Sequence, residues 1–205
     1  MALRHLLAAA LLLAPLAAQA AEPDAAAKTK AIVAAFMKAK PDDGKLSKAD
    51  RESNTKAFAE LDALLDAEHF TSVSIQPRAD KFSPEQLTRF KSRFWQVVQL
   101  MAYPNSGDFF REAKLTFEKP KQKGEVWAAP IKAFLPAEDL ETVIELHWRQ
   151  GPKGLKVVDV LFDGDSLVRD YQNQFSRIVD KSGPDGLIKA IEEKYAELSG
   201  NKDKK

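Results

Sequence analysis

The chain has 205 residues, 31 lysines and arginines against 30 aspartates and glutamates, and no cysteine. A net charge of +1 gives no footing for nucleic-acid binding, and a chain without cysteine cannot be held by disulfides. An ordinary hydrophobic core must hold it, and the length suffices for one domain with such a core.

The chain opens on a processing segment. Arg4 and His5 form a short polar head, Leu6 to Ala18 is an apolar run containing Pro15, and Ala18-Gln19-Ala20 is an A-x-A cleavage pattern. The run is shorter than the roughly 20 residues of a membrane span. Residues 1–20 therefore read as a signal peptide cleaved after Ala20, with a retained anchor as the alternative. No cysteine stands near the cleavage site to take a lipid.

Residues 21–40 read as an alanine-rich helix with Ile32, Ala35, Phe36 and Ala39 on one side, ended by Pro41-Asp42-Asp43-Gly44. Ser47-x-x-Asp50 opens a second helix whose stripe is Phe58, Leu61, Leu64 and Leu65 and which runs toward Phe70. Residues 71–82 read as a connection. Ser83-Pro84-Glu85-Gln86 is a full helix start: serine at the cap, proline at the first position, glutamine three after the cap. Leu87, Phe90, Phe94, Val97 and Met101 then repeat at three and four, and Tyr103-Pro104 is expected to end the helix, leaving Asn105-Ser106-Gly107 as loop.

From Ala113 the period becomes two. Ala113, Leu115 and Phe117 outline a first strand, residues 120–124 a turn, and Val126 to Phe134 a second strand in which Pro130 calls for an edge or a bulge. Thr142, Ile144, Leu146 and Trp148 alternate with Val143, Glu145, His147 and Arg149 in a third. Val157 to Phe162 is the fourth, stopped by Asp163-Gly164. A helix capped by Asp165 or Ser166 follows, with Val168, Tyr171, Phe175 and Ile178 on one face; Gly183-Pro184-Asp185-Gly186 breaks it, and Leu187, Ile188, Ile191 and Leu198 outline a last one. Helices, then four closely connected strands, then helices imply an α+β fold: a four-stranded antiparallel sheet with helices packed on one face. The domain spans 21–199, and 200–205 is a charged tail.

The catalytic inventory is thin. The histidines beyond the signal are His69 and His147, with neither metal-ligand spacing nor cysteine beside them. No nucleophile elbow, Walker loop or dinucleotide fingerprint occurs. Asp163-Gly164-Asp165-Ser166 resembles part of a calcium loop but lacks the later glutamate, and a turn plus a cap accounts for it. Asp159 is the one acid inside an apolar strand; it either serves as a buried acid/base group or makes a structural hydrogen bond. The excess apolar side chains of sheet and helices fit an ordinary closed core or a pocket equally well.

The order V-V-D-V, acidic-Gly, S-L-V, aromatic, Q-x-x-F, G-x-D-G-L-I falls here on Val157-Val158-Asp159-Val160, Gly164, Ser166-Leu167-Val168, Tyr171, Gln174-Phe175 and Gly183-x-Asp185-Gly186-Leu187-Ile188. With His147-Trp148-Arg149 and Ser83-Pro84-Glu85-Gln86, this resembles the MlaC family of periplasmic phospholipid-binding proteins, also called toluene-tolerance auxiliary proteins. The chain departs from the family pattern at Pro77-Arg78-Ala79-Asp80 and at Leu155. The resemblance implies a cone similar to nuclear-transport-factor-2-like domains, enclosing an apolar pocket for acyl tails. It implies a carrier, not an enzyme. That carrier needs no cofactor or metal and moves phospholipid between an outer-membrane lipoprotein complex and an inner-membrane ABC transporter complex, maintaining outer-membrane lipid asymmetry. The residues expected at the lipid are Phe90, Phe94, Val97, Met101, Ile144, Leu146, Trp148, Val158, Val160, Phe162, Leu167, Tyr171 and Phe175. An enzyme on the same cone using Asp159, or a non-lipid periplasmic adaptor with a closed core, are the alternatives.

Overall fold

The central helix starts where its capping pattern predicts. Ser83 Oγ accepts from the Gln86 amide at 3.2 Å, and the Gln86 side chain accepts from the Ser83 amide at 2.9 Å. In the computed structural model, which describes residues 21–42 and 45–200, this helix is α4 (Pro84–Glu112). The predicted signal peptide and residues 201–205 of the tail lie outside the described residues, as does Asp43-Gly44 of the predicted break.

Helix α4 does not end at Tyr103-Pro104. Pro104 removes one N–H and crowds the Leu100 carbonyl, yet Asn105-Ser106-Gly107 stays helical because that end is clamped onto α1 (Ala21–Lys38). Phe36 packs on Tyr103 and Phe110 with ring centroids 5.9 and 5.7 Å apart. Gly107 permits the approach: a Cβ there would stand 2.4 Å from the Ala39 carbonyl oxygen. Arg111 then donates to the Met37 and Ala39 carbonyls at 2.6 and 2.7 Å, satisfying the end of α1.

Helix α2 (Lys48–Leu64) is capped by Ser47, which accepts from the Asp50 amide. The run toward Phe70 is not one helix. Leu65 turns extended and bridges Val157 in parallel, and the Asp66 amide donates to the Val157 carbonyl at 2.9 Å. Asp66 then caps α3 (Ala67–Val73) by accepting from the His69 amide. A 3-10 turn (Gln76–Lys81) leads to Ser83.

The sheet has six antiparallel strands where four are predicted: β1 (Lys114–Phe117), β2 (Lys121–Lys123), β3 (Val126–Leu135), β4 (Leu140–Gly151), β5 (Gly154–Phe162) and β6 (Asp165–Ser166). The two extra strands are short and too polar to show a period. β2 occupies the predicted turn and pairs with the start of β3, while β6 precedes the last helix and pairs with the end of β5. Pro130 lies opposite the break between β1 and β2, so its missing N–H costs no ladder bond. Leu65 and β6 together cover the free edge of β5.

One face of the sheet is apolar. Ile131, Ile144, Leu146, Trp148 and Val157 are buried in a single core with Ile32, Leu61, Phe70, Tyr103 and Phe110 of the helices. Ion pairs mark the other face: Lys132 with Glu118, and Lys123 with Glu145. Helix α5 (Leu167–Gly200) is capped by Ser166, which accepts from the Arg169 amide at 3.1 Å. It is two helical segments meeting at Gly183, whose φ of 70° few other residues adopt. The second segment is tied to α4 by Arg89 with Glu192 at 2.6 Å and Arg93 over the Tyr195 ring at 4.0 Å.

Candidate functional site

Helix α4 carries two apolar stripes. Phe90, Phe94 and Val97 pack on Phe175, Val179, Leu187 and Ile188 of α5 in a core of their own. One residue further round, Trp95, Val98, Ala102, Ser106 and Phe109 recur at three and four and turn toward the sheet. Between this second stripe and the sheet lies a cavity of about 350 Å³. Its floor is Ile144 and Leu146 of β4 with Val160 and Phe162 of β5; Phe36, Leu65, Phe70, Leu167 and Tyr171 close the sides. Along α4 the lining residues run from Phe94 to Phe110, about 24 Å at 1.5 Å per residue. Asn105 and Phe162 are its exposed lining residues and mark where it meets solvent.

Polar groups behind the wall are satisfied. Asp62 of α2 accepts from Trp95 Nε1 at 3.2 Å, Gln99 Nε2 at 2.8 Å and the Tyr103 hydroxyl at 2.7 Å, and so fixes two rings of the lining. Burial, reinforced by the Asp62 carboxylate, pushes the Tyr103 phenol far above its ordinary pKa, and burial alone raises that of Tyr171. Both phenols are therefore neutral in the wall.

The structure brings Phe94, Ile144, Leu146, Val160, Phe162, Leu167 and Tyr171 together around the cavity, and places six of the predicted residues elsewhere. Phe90 and Val97 sit on the other stripe of α4 and pack with Phe175 of α5 in the α4–α5 core. Met101 is half-buried and outside the lining. Trp148 faces the same side as Leu146 but is fully buried, its Nε1 donating to Thr29 Oγ1 at 2.9 Å. The register shifts between His147 and Trp148, so Val157 and not Val158 stands opposite Trp148, and strict alternation misplaces Val158. Sequence reasoning missed Trp95, Val98, Ala102 and Phe109; their stripe is visible in the spacing, but it contains Ser106 and is less apolar than its neighbour.

Asp159 is structural. Its carboxylate accepts from the Ser166 hydroxyl at 2.5 Å and from the amides of Val160 and Val168 at 2.9 and 3.2 Å, joining β5 to the start of α5. His147 meets Glu145 at 2.6 Å, and His69 Nδ1 accepts from Arg149 at 3.0 Å. Among the described residues no cluster of three or more such side chains is placed to hold a metal. A second cleft, of about 460 Å³ between α1 and the β1–β2 connection, mixes Ala26, Phe117 and Pro120 with Lys30, Glu118 and Lys119 and is more polar in its lining than the cavity under α4.

Residues 29–193 match the family model of the MlaC protein, well over half of the chain. The chain belongs to the MlaC family. No curated protein matches it in sequence. Among solved structures, the phospholipid-binding protein from Ralstonia solanacearum, in complex with a phospholipid, is similar with a TM-score of 0.67 and 16% identity. The match covers 87% of this chain and 98% of that one, so this MlaC chain and the Ralstonia protein share the α+β fold over nearly their whole length.

Proposed function

We propose that the protein is a periplasmic phospholipid carrier that houses acyl tail in the cavity between α4 and the sheet. The observation that carries this reading is the apolar cavity itself, found in a member of the MlaC family. A protein of the same fold described in complex with a phospholipid supports it. A tail of about 16 carbons in water costs on the order of 12 kcal/mol, at about 0.8 kcal/mol per methylene. A lipid therefore crosses an aqueous compartment slowly unless its hydrocarbon is covered. The apolar lining supplies the cover, and the exposed Asn105–Phe162 region is where the head group would emerge.

Carrier action on this reading needs no nucleophile. Asp159, the acid on which an enzymatic reading rested, has its carboxylate committed to Ser166 and two amides. The rest of the assignment follows the family: export by a signal peptide over 1–20, a single cone-shaped domain over 21–199, and exchange of phospholipid between an outer-membrane lipoprotein complex and an inner-membrane ABC transporter complex, maintaining lipid asymmetry. The test is to purify the mature protein under native conditions and analyse its organic extract by mass spectrometry. About one phospholipid per protein is expected; extracts free of lipid would overturn the proposal.

A further inference from the structure

Polar groups in the wall of the cavity under α4 fall into two sets. The Trp95 indole and the Tyr103 hydroxyl both donate to Asp62 and are spent. Asn105 and Ser106, neighbours in the lining, have side chains with no hydrogen bond to any of the described residues. Asn105 is exposed at the opening, and Ser106, next to it, is half-buried. The Tyr171 hydroxyl also lacks a partner among the described residues, but it lies elsewhere. Its ring meets Phe94, with centroids 4.9 Å apart, about three helical turns back along α4 from Asn105.

Ser106 has a bond within reach that it does not make. A serine or threonine inside a helix can donate to the carbonyl four residues back. Thr29, Thr71, Thr88 and Ser199 all do so. Ser106 stands inside α4 and leaves its hydroxyl open instead. A polar group that a guest would cover needs a partner, and without one its desolvation is uncompensated. The guest itself must supply that partner.

The chemistry of the lining says what the partner is. It holds no lysine, arginine, aspartate or glutamate. Phosphate is held best by charged donors, whereas a hydroxyl and an amide suit a neutral acceptor. In an acyl lipid that acceptor is the ester carbonyl, which stands where hydrocarbon ends and the head group begins. Ser106 and Asn105 stand at the matching level of the protein, where the apolar lining ends and solvent begins.

We propose that Ser106 and Asn105 hold the ester carbonyls of a diacyl glycerolipid and so select ester-linked over ether-linked lipids. Ser106 Oγ and Asn105 Nδ2 donate, and the carbonyl oxygens accept. A dialkyl ether lipid lacks those carbonyls and leaves both donors unpaired as it excludes water from them. The proposal rests on the carrier reading. It adds a choice that hydrocarbon burial cannot make, because ester and ether lipids of one chain length bury nearly the same apolar area.

The test incubates delipidated protein with fluid vesicles holding equal amounts of dipalmitoylphosphatidylglycerol and its dihexadecyl ether analogue. The protein is then repurified and its bound lipids are counted by mass spectrometry. The parent should carry about tenfold more ester than ether lipid, the effect of two neutral hydrogen bonds. Ser106→Ala with Asn105→Ala should lose that preference, its ratio falling to about one. Both changes favour the helix, so the variant should fold. Equal uptake of the two lipids by the parent, or a preference that survives in the double variant, would overturn the proposal and leave the carrier reading standing. Uptake of neither lipid would overturn both.

Discussion

Filling the cavity separates a binding site from a packing defect. Ala102 lines the space from α4 and is half-buried, so Ala102→Phe directs a ring into the gap. If the ring covers about 100 Å² of apolar surface, the gain at about 25 cal/mol per Å² is about 2.5 kcal/mol. Ordering the side chain takes back about 0.5–1 kcal/mol. The net gain of about 1.5–2 kcal/mol, at about 2–4 °C per kcal/mol for a domain of this size, raises the Tm of the lipid-free protein by about 3–8 °C. The ring also takes room from any guest, in a cavity whose roughly 350 Å³ lies near the low end for ligand sites. Lipid per mole of protein should therefore fall. Calorimetry on delipidated protein gives the first quantity, and mass spectrometry of the native extract gives the second. A variant that melts lower and still carries its full lipid would refute the reasoning, since the space at Ala102 would then be neither empty nor used.

Three further outcomes are expected. Leu146→Arg sets a guanidinium on the cavity floor opposite Val160, and Val160→Arg does so at a less buried site; both should lose most bound lipid, and a folded variant of either kind with full loading would contradict the floor assignment. Gly107→Ala gains about 1 kcal/mol by helix propensity but forces a Cβ against the Ala39 carbonyl. A net loss of about 2 kcal/mol in urea unfolding is expected from such overpacking, and a gain would show that α1 and α4 approach less closely. Burial, with the nearby Arg149 charge, lowers the pKa of His69. The unfolded chain takes that proton near pH 6.5 and the folded chain only at lower pH, so this contribution is complete above about pH 6.5 and is lost as pH falls through the folded value. His69→Gln should flatten the decline of stability between about pH 7 and about pH 5, and a slope identical to the parent's would exclude His69 as its source.

Local features of the fold were legible wherever a residue's own chemistry decides the outcome. The Ser83 capping box, the helix break at Gly183 and the alternation of Thr142 to Trp148 all appear as read. The end of α4 was not legible, because Pro104 argues locally for a stop and only the packing of Phe110, Gly107 and Arg111 on α1 overrides it. β2 and β6 are too short and polar to carry a period, and they exist because β3 and β5 offer them an edge.

The candidate site divides in the same way. Period and composition identify which strands and helices are greasy, and the ordered motifs from Val157 to Ile188 point to the family. Neither states which stripe of α4 meets the sheet or where the β5 register slips at Trp148. Nor can they distinguish a filled interior from one with a gap, because a residue facing a partner and a residue facing a void obey the same hydrophobic pattern. That difference arises only when two apolar faces meet in three dimensions and their shapes leave about 350 Å³ between them.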